Sequence, residues 1–278
     1  NWKQEWLYRS GVNTLQADFT CTNDSLSSLR LLQSVPSIST ADKDLRTQRT
    51  QIGLYQYNGQ QMLLTAALPV TYSGAVTWIS EAVGQPCPDL VLPNEGDWAY
   101  MKINLDARSY ATLTEHINDF SNPTTRIMLW QSLWDSVVDG KLSLARYLEF
   151  TLANIGAERD DNVVRLVADV MLTGYSYLSR FGEQDAAKEQ IEDFMFARLM
   201  QSLPGSELQK IWYDSFIRTA HTGQALSYLE ALLDGSLTVA GLQIDQDKRW
   251  HIIVALNRYE FGDYENLLTA ELASDPSD

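Results

Sequence analysis

Three histidines, His116, His221 and His251, are the first residues to ask for chemistry, in the contexts TEHIN, TAHTG and RWHII. None belongs to H-E-x-x-H, and none has a cysteine or second histidine at ligand spacing, so the pattern predicts no metal site. His116 and His251 read as packed or solvated helix residues. His221 lies near a helix end, where the dipole favours a positive charge. Carboxylates pair in sequence as Asp135 with Asp139, Asp160 with Asp161, and Glu192 with Asp193. A glycosidase needs two such groups across a cleft, and Asp135 with Asp139 beside Trp134 is the version to weigh. The structural reading is stronger: Asp139 precedes Gly140 at a helix end, and Asp160 or Asp161 suits a helix start. No G-x-S-x-G, P-loop or G-x-G-x-x-G occurs. Eight tryptophans invite ligand stacking, yet Trp130, Trp134, Trp212 and Trp250 fall on helical stripes with aliphatics, which means core. Arg126 and Arg258 could meet a peptide carboxylate, although a surface or interdomain ion pair is the commoner use of an arginine on a helix. These residues assemble no catalytic, cofactor-binding or metal site, and they leave substrate-binding residues unassigned.

Two cysteines, Cys21 and Cys87, are too few for a disulfide framework. Cys21 alternates with Phe19 and Ala17 on a strand, and Cys87 lies between Pro86 and Pro88. The expectation is two unpaired thiols in a reducing, cytoplasmic compartment. Lys and Arg number 21 against 36 Asp and Glu, a net charge of −15. That balance repels phosphate backbones and anionic lipid heads, so neither nucleic acid nor membrane is an expected partner. It suits solubility, the commoner explanation, and would also favour a cationic substrate or partner. No apolar run approaches the ~20 residues a membrane span needs.

The elements that must position these groups centre on a helical hairpin. Asn122 caps a helix whose first turn takes Pro123, where a missing N–H costs nothing. Ile127, Trp130, Leu133, Trp134 and Val137 recur at three- and four-residue steps. Gly140 stops the helix with a left-handed cap. Ser143 opens the second helix, whose stripe is Leu144, Tyr147, Leu148, Thr151, Leu152 and Ile155. Asp106 caps an earlier helix carrying Tyr110, Leu113, Ile117 and Phe120. Asp160 or Asp161 caps a later helix carrying Val163, Val167, Val170 and Leu178, and further helices are predicted from 183 to 203, 206 to 221, 223 to 234, 246 to 260 and 263 to 273, with breaks at Gly182, Pro204-Gly205, Gly223, Gly235 and Gly262.

Upstream the period is two: Leu15, Ala17, Phe19 and Cys21, a turn at Asn23-Asp24-Ser25, then Leu29, Leu31 and Gln33. Ser37 to Asp44 reads as a loop. Asn58-Gly59, between Ile52–Tyr57 and Met62–Leu68, favours a type I′ hairpin turn. A further strand covers Val76 to Ile79. Three prolines between Gly84 and Pro93 forbid helix there. The predicted fold is mainly α with a small all-β part. Residues 1–11 are the tail of a preceding helix, 12–84 an antiparallel β-sandwich, 85–98 a linker, and 99–278 an irregular α-solenoid of helical hairpins. Length and a 45% hydrophobic content support a sizeable core and one to three domains. Because the chain starts at Asn1 inside a predicted helix, it reads as an excised piece whose targeting segment would lie elsewhere.

Four stretches resemble the C-terminal part of zinc aminopeptidases of the aminopeptidase N family, particularly the bacterial form. They are WLYRSGVNTL from Trp6, PDLVLPNEGDWAYMKINLD from Pro88, the central hairpin with Arg126, Trp134, Asp135 and Gly140, and LLDGSLTVAGLQIDQDKRWHIIVAL from Leu232. Asn94, Tyr100 and Asp106 match the family's Asn, Tyr and closing Asp in the second stretch. The family's H-E-x-x-H helix, third glutamate ligand and G-x-M-E-N loop are absent from this chain. The resemblance therefore implies an inactive fragment of a parent that uses zinc to remove N-terminal residues from peptides. Its partners would be the parent's own catalytic domain and the parent's peptide substrates. The helical domain would cap the catalytic domain and enclose a substrate chamber. The family's helical domain also continues past a segment like LLTAELASDPSD, which implies truncation at the C-terminus. The alternative is a free-standing helical-repeat scaffold binding a peptide or protein partner. An exposed apolar face around Trp2, Trp6 and Leu7 is the expected mark of the first reading.

Overall fold

The structure, a computed structural model, describes residues 2–35, 44–178 and 185–275. These fall into two compact units, 1–150 and 151–278. The predicted loop at Ser37–Asp44, apart from Asp44 itself, and the break at Gly182 lie outside the described residues.

In the first unit, a short helix α1 (Trp2–Leu7) precedes β1 (Thr14–Thr22) and β2 (Ser25–Ser34). These pair antiparallel through a tight turn in which Asn23 and Asp24 both take positive φ, 52° and 58°. Short polar side chains tolerate that region, which is why this dipeptide can make a two-residue hairpin. β3 (Gln48–Tyr57) and β4 (Met62–Tyr72) form the second hairpin. Its turn differs from the expected type I′. Only Gly59 has positive φ, and the loop runs over Asn58–Gln61. The Asn58 side chain accepts from the backbone N–H groups of Gln60 and Gln61, each at 2.9 Å. That local closure takes the place of the primed turn.

β5 (Val76–Trp78), β6 (Leu90–Leu92) and β7 (Lys102–Asn104) complete two sheets, ordered β5-β2-β1-β7 and β4-β3-β6. β7 joins β1 in parallel, and the others pair antiparallel. Leu15, Ala17, Leu26, Leu29 and Leu31 of the first sheet meet Ile52, Leu54, Tyr72 and Val91 of the second in one core. This is the expected sandwich. The proline-rich stretch is extended, as its ring geometry requires, and Leu90, Val91 and Leu92 within it are fully buried against β3.

Cys21 and Cys87 are joined as a disulfide, with Cα atoms 5.8 Å apart. This corrects the expectation of free thiols. Counting cysteines misses the fact that β1 and the segment entering β6, 66 residues apart in sequence, end at the same place.

α2 (Ala107–His116) and α3 (Pro123–Val138) follow in the same unit, and α4 (Leu144–Asn154) begins there. Asp106 caps α2, its carboxylate accepting from the N–H groups of Arg108 and Ser109 at 3.0 Å each. Asn122 caps α3 with Pro123 at the first turn, and Gly140 takes φ +72° beyond its end. The buried face of α3 is wider than its predicted stripe. Met128, Leu129, Trp130 and Leu133 are buried, as are Thr125 and Ser132, while Ile127, Trp134 and Val137 are only half-buried. Its small polar residues pack as tightly as its aliphatics, and hydrophobicity alone does not display that.

The second unit is helical: α5 (Asp161–Leu178), α6 (Asp185–Gln201), α7 (Glu207–Thr219), α8 (Gly223–Asp234), α9 (Gln246–Arg258) and α10 (Tyr264–Ser274). Counting from α2, nine helices follow the strands among the described residues. Asp160, Ser206, Thr222 and Asp245 each accept from backbone N–H groups at a helix start. Gly235 ends α8 in the left-handed conformation, φ +81°. Consecutive helices pack as pairs, α6 on α7, α8 on α9 and α9 on α10, the arrangement expected of a solenoid.

Candidate functional site

Two of the three histidines have a local partner. His116 Nδ1 lies 2.7 Å from Asp119 Oδ2, and its ring stacks on Tyr57 with centroids 4.0 Å apart. His221 lies at the start of α8, its Nδ1 3.0 Å from the Tyr175 hydroxyl. Glu192, buried on α6, accepts from the backbone N–H groups of His221 at 2.6 Å and Thr222 at 3.1 Å, and from the Thr222 hydroxyl. The carboxylate thus closes the turn between α7 and α8, while Asp193 points to solvent. His251 is exposed on α9. Among the described residues, no three His, Cys, Asp or Glu side chains converge as a metal cluster would require.

The carboxylate pairs divide their work. Asp139 binds Lys102 of β7 at 2.7 Å, tying the end of α3 to the sheet. Asp135 accepts from Gln131 at 3.3 Å, and burial pushes its carboxyl above the usual range, with Lys102 opposing. Asp160 is the cap of α5. Arg126 Nη1 donates to the carbonyls of Phe120 at 2.7 Å and Ser121 at 3.1 Å, holding the turn before α3. Asn94 is buried, accepting from the Thr50 hydroxyl at 2.7 Å and Ala99 N–H at 3.0 Å.

Several buried charged groups escaped the sequence reading, Glu95 and Glu271 among them. Glu95, 6% exposed, accepts from the Tyr55 hydroxyl at 2.7 Å, and that hydroxyl lies 3.2 Å from Thr125 Oγ1 of α3. No cation is paired with Glu95 among the described residues. Burial lifts its carboxyl above the ordinary range, and hydrogen bonds from Tyr55 and Thr125 oppose that. β3 admits it only because residue 53 is glycine, since a Cβ there would stand 2.9 Å from Glu95 Oε2. No local pattern announces this. A glutamate in a turn usually faces water, and here Tyr55, Thr125 and Gly53 meet it only in the folded unit.

Two of the open surfaces bear on binding. In the first unit, Trp6, Leu7, Trp98 and Tyr100 line a shallow groove, with Leu7, Trp98 and Tyr100 63%, 67% and 66% exposed. Trp6 is held there edge-on to Tyr100, centroids 5.9 Å apart, and under the Arg46 guanidinium at 4.4 Å. The side chain of Trp2, expected on the same face, lies outside what is described.

In the second unit, an open cleft of about 590 Å³ runs between α7 and α9. Ile217, Trp250, Val254 and Ala255 supply apolar lining, Asp214, Arg218 and Arg258 supply charge, and His251 supplies an imidazole. Arg218 reaches Asp169 at 3.4 Å, while Arg258 meets no carboxylate among the described residues. Trp130 and Trp212 are core, as expected. Trp250 is not. It is half-buried and lines this cleft, its indole N–H donating to Asp275 at 2.7 Å.

Residues 90–278 match the family model described as an ERAP1-like C-terminal domain, a match that begins at β6. The chain is also 30% identical over 260 residues to Aminopeptidase N of Streptomyces lividans. That alignment covers 92% of this chain and 30% of the relative, so the chain spans less than a third of the relative's length.

Proposed function

Because the chain belongs to the ERAP1-like C-terminal domain family and is a C-terminal region of an aminopeptidase N family protein, we propose that it is the non-catalytic part of a zinc aminopeptidase removing N-terminal residues from peptides. Zinc would polarise the scissile carbonyl and activate water in the rest of the parent. The described residues of this chain do not fit a zinc site, because they bring no ligand trio together. This chain's share is positioning. The helices cap the catalytic domain and enclose the chamber in which peptides are cut.

The observation carrying this reading is the exposed aromatic groove at Leu7, Trp98 and Tyr100. Three large apolar side chains open to water on one face favour burial against another surface, and the occupant that fits is the catalytic domain of the same parent. In the second unit, the cleft with Arg218 and Arg258 offers cations to a peptide carboxylate. The −15 net charge would favour peptide amines elsewhere on the surface. The compartment is better taken as oxidising than cytoplasmic, since a cystine bridge persists where thiols are not kept reduced.

The test mixes this chain with the separately produced catalytic part. Association is expected, and W98S with Y100S should weaken it by about tenfold or more. The chain alone, with added zinc, should leave aminoacyl-arylamides intact. Zinc-dependent turnover by the pure chain, or no association, would overturn the proposal.

A further inference from the structure

The Cys21–Cys87 bridge opens onto a depression of about 470 Å³ that Asn23, Asp24, Gln56, Asp89 and Arg108 also line. Both cysteines are partly exposed there. The backbone around them is held independently of the bridge. Cys87 N–H donates to the Asp24 carbonyl at 2.9 Å, and the Gln56 side-chain amide donates to the Cys87 carbonyl at 2.9 Å. Two thiols released here would stay close enough to close again.

The sulfurs are not equivalent. Arg108, in the first turn of α2, places Nη1 3.1 Å from Cys87 Sγ and Nη2 2.9 Å from Asp89 Oδ1. Arg108 is the cation among the residues lining the depression, and its hydrogen bond to the bridge goes to Cys87 Sγ. The depression's other charges, Asp24 and Asp89, are negative, but Asp89 is already committed to Arg108 and to the Tyr57 N–H at 2.9 Å. A disulfide is opened by a thiolate that attacks one sulfur and expels the other, and the better-stabilised thiolate leaves faster.

We infer that this bridge is a thiol–disulfide exchange site for a dithiol, with Cys21 Sγ attacked and Cys87 Sγ expelled onto Arg108. The incoming thiolate forms a bond to Cys21 as the Cys21–Cys87 bond breaks, and that bond's electron pair goes to Cys87. The reagent's second thiol gives its proton to solvent, attacks the reagent's first sulfur, and expels Cys21, which takes up a proton. The dithiol is thereby oxidised to a disulfide, and the bridge is reduced to two thiols. The inference concerns the first unit alone and does not rest on the peptidase reading.

The experiment uses the oxidised 278-residue chain. Brief exposure to reduced glutathione, acid quenching, alkylation and peptide mapping should find glutathione on Cys21 and the alkyl group on Cys87. R108M should slow opening by dithiothreitol on the order of threefold to tenfold, with R108K keeping part of the rate. In reduced wild-type chain, Cys87 should alkylate at lower pH than Cys21, a readout that does not depend on any variant folding. Glutathione found on Cys87, wild-type opening in a folded R108M chain, or both cysteines free in chain made in an oxidising host would each overturn the inference.

Discussion

Glu95 is the residue whose surroundings are least expected from its type. Burial without a paired cation raises the Glu95 carboxyl above its ordinary value in the folded chain, and the hydrogen bonds from the Tyr55 and Thr125 hydroxyls oppose that rise. The consequence has a definite sign. The folded value is raised above the ordinary 4.5, so the stabilisation from protonating Glu95 is complete below pH 4.5 and is lost as pH rises through the folded value. Glu95→Gln removes that dependence and keeps the shape. Thermal unfolding of E95Q should exceed wild type by a few degrees, about 2–4 °C, at pH 7. The gap should shrink as pH falls towards 4, and a gap unchanged with pH would contradict the assignment. Asp106 and Asn122 are the opposite kind of residue, because capping is local and their types foretold their roles.

At the scale of elements, α10 is held to α9 by an ion pair in which Glu271 is buried and Arg249 is partly exposed. Glu271 is 3% exposed as a residue and accepts from Arg249 Nε at 2.8 Å and Nη2 at 2.5 Å, with Gln246 adding a bond at 2.7 Å. Arg249 holds the Glu271 carboxyl below the usual range, so the stability it confers is present above the ordinary carboxyl pKa and is lost as pH falls through the depressed value. R249M should cost about 1–3 kcal/mol by leaving the Glu271 carboxylate without its main partner, whereas R249M with E271L should restore most of it, since an apolar side chain at 271 needs no hydrogen-bond partner. Urea titration of the single and double variants checks the pair. A double variant no better than R249M would show that packing around α10, not charge, is decisive. The α6–α8 junction obeys similar logic through Glu192, whose acceptors serve two backbone N–H groups that would otherwise lack partners.

For the whole molecule, the bridge and the open aromatic groove carry the predictions. Closing a loop across 66 residues of sequence removes unfolded-state freedom worth about 4 kcal/mol. C21A with C87A should therefore lower the transition belonging to residues 1–150 and leave that of 151–278 in place, as read by calorimetry. A single transition that shifts as one would mean the two units unfold together. The groove at Trp98 and Tyr100 has the complementary property. W98S and Y100S should leave thermal stability within about 0.5 kcal/mol, because exposed side chains lose little burial when truncated. They should reduce only association with the rest of the parent.

Periodicity and caps determined, without any coordinates, that strands precede tandem helices and where most helices begin and end. These signals are short-range: Asn122-Pro123, Gly140 and Asp106 act within a turn of where they stand. The resemblance around Trp6, Pro88 and Leu232 likewise depended on order along the chain. Tertiary structure alone decided what long-range proximity creates. It joined Cys21 to Cys87, buried Glu95 against Tyr55 and Thr125, and placed Trp250 in a cleft with Arg218 and Arg258. A residue's type states what it can do, but its dielectric, its partner and its exposure belong to whatever the fold brings beside it.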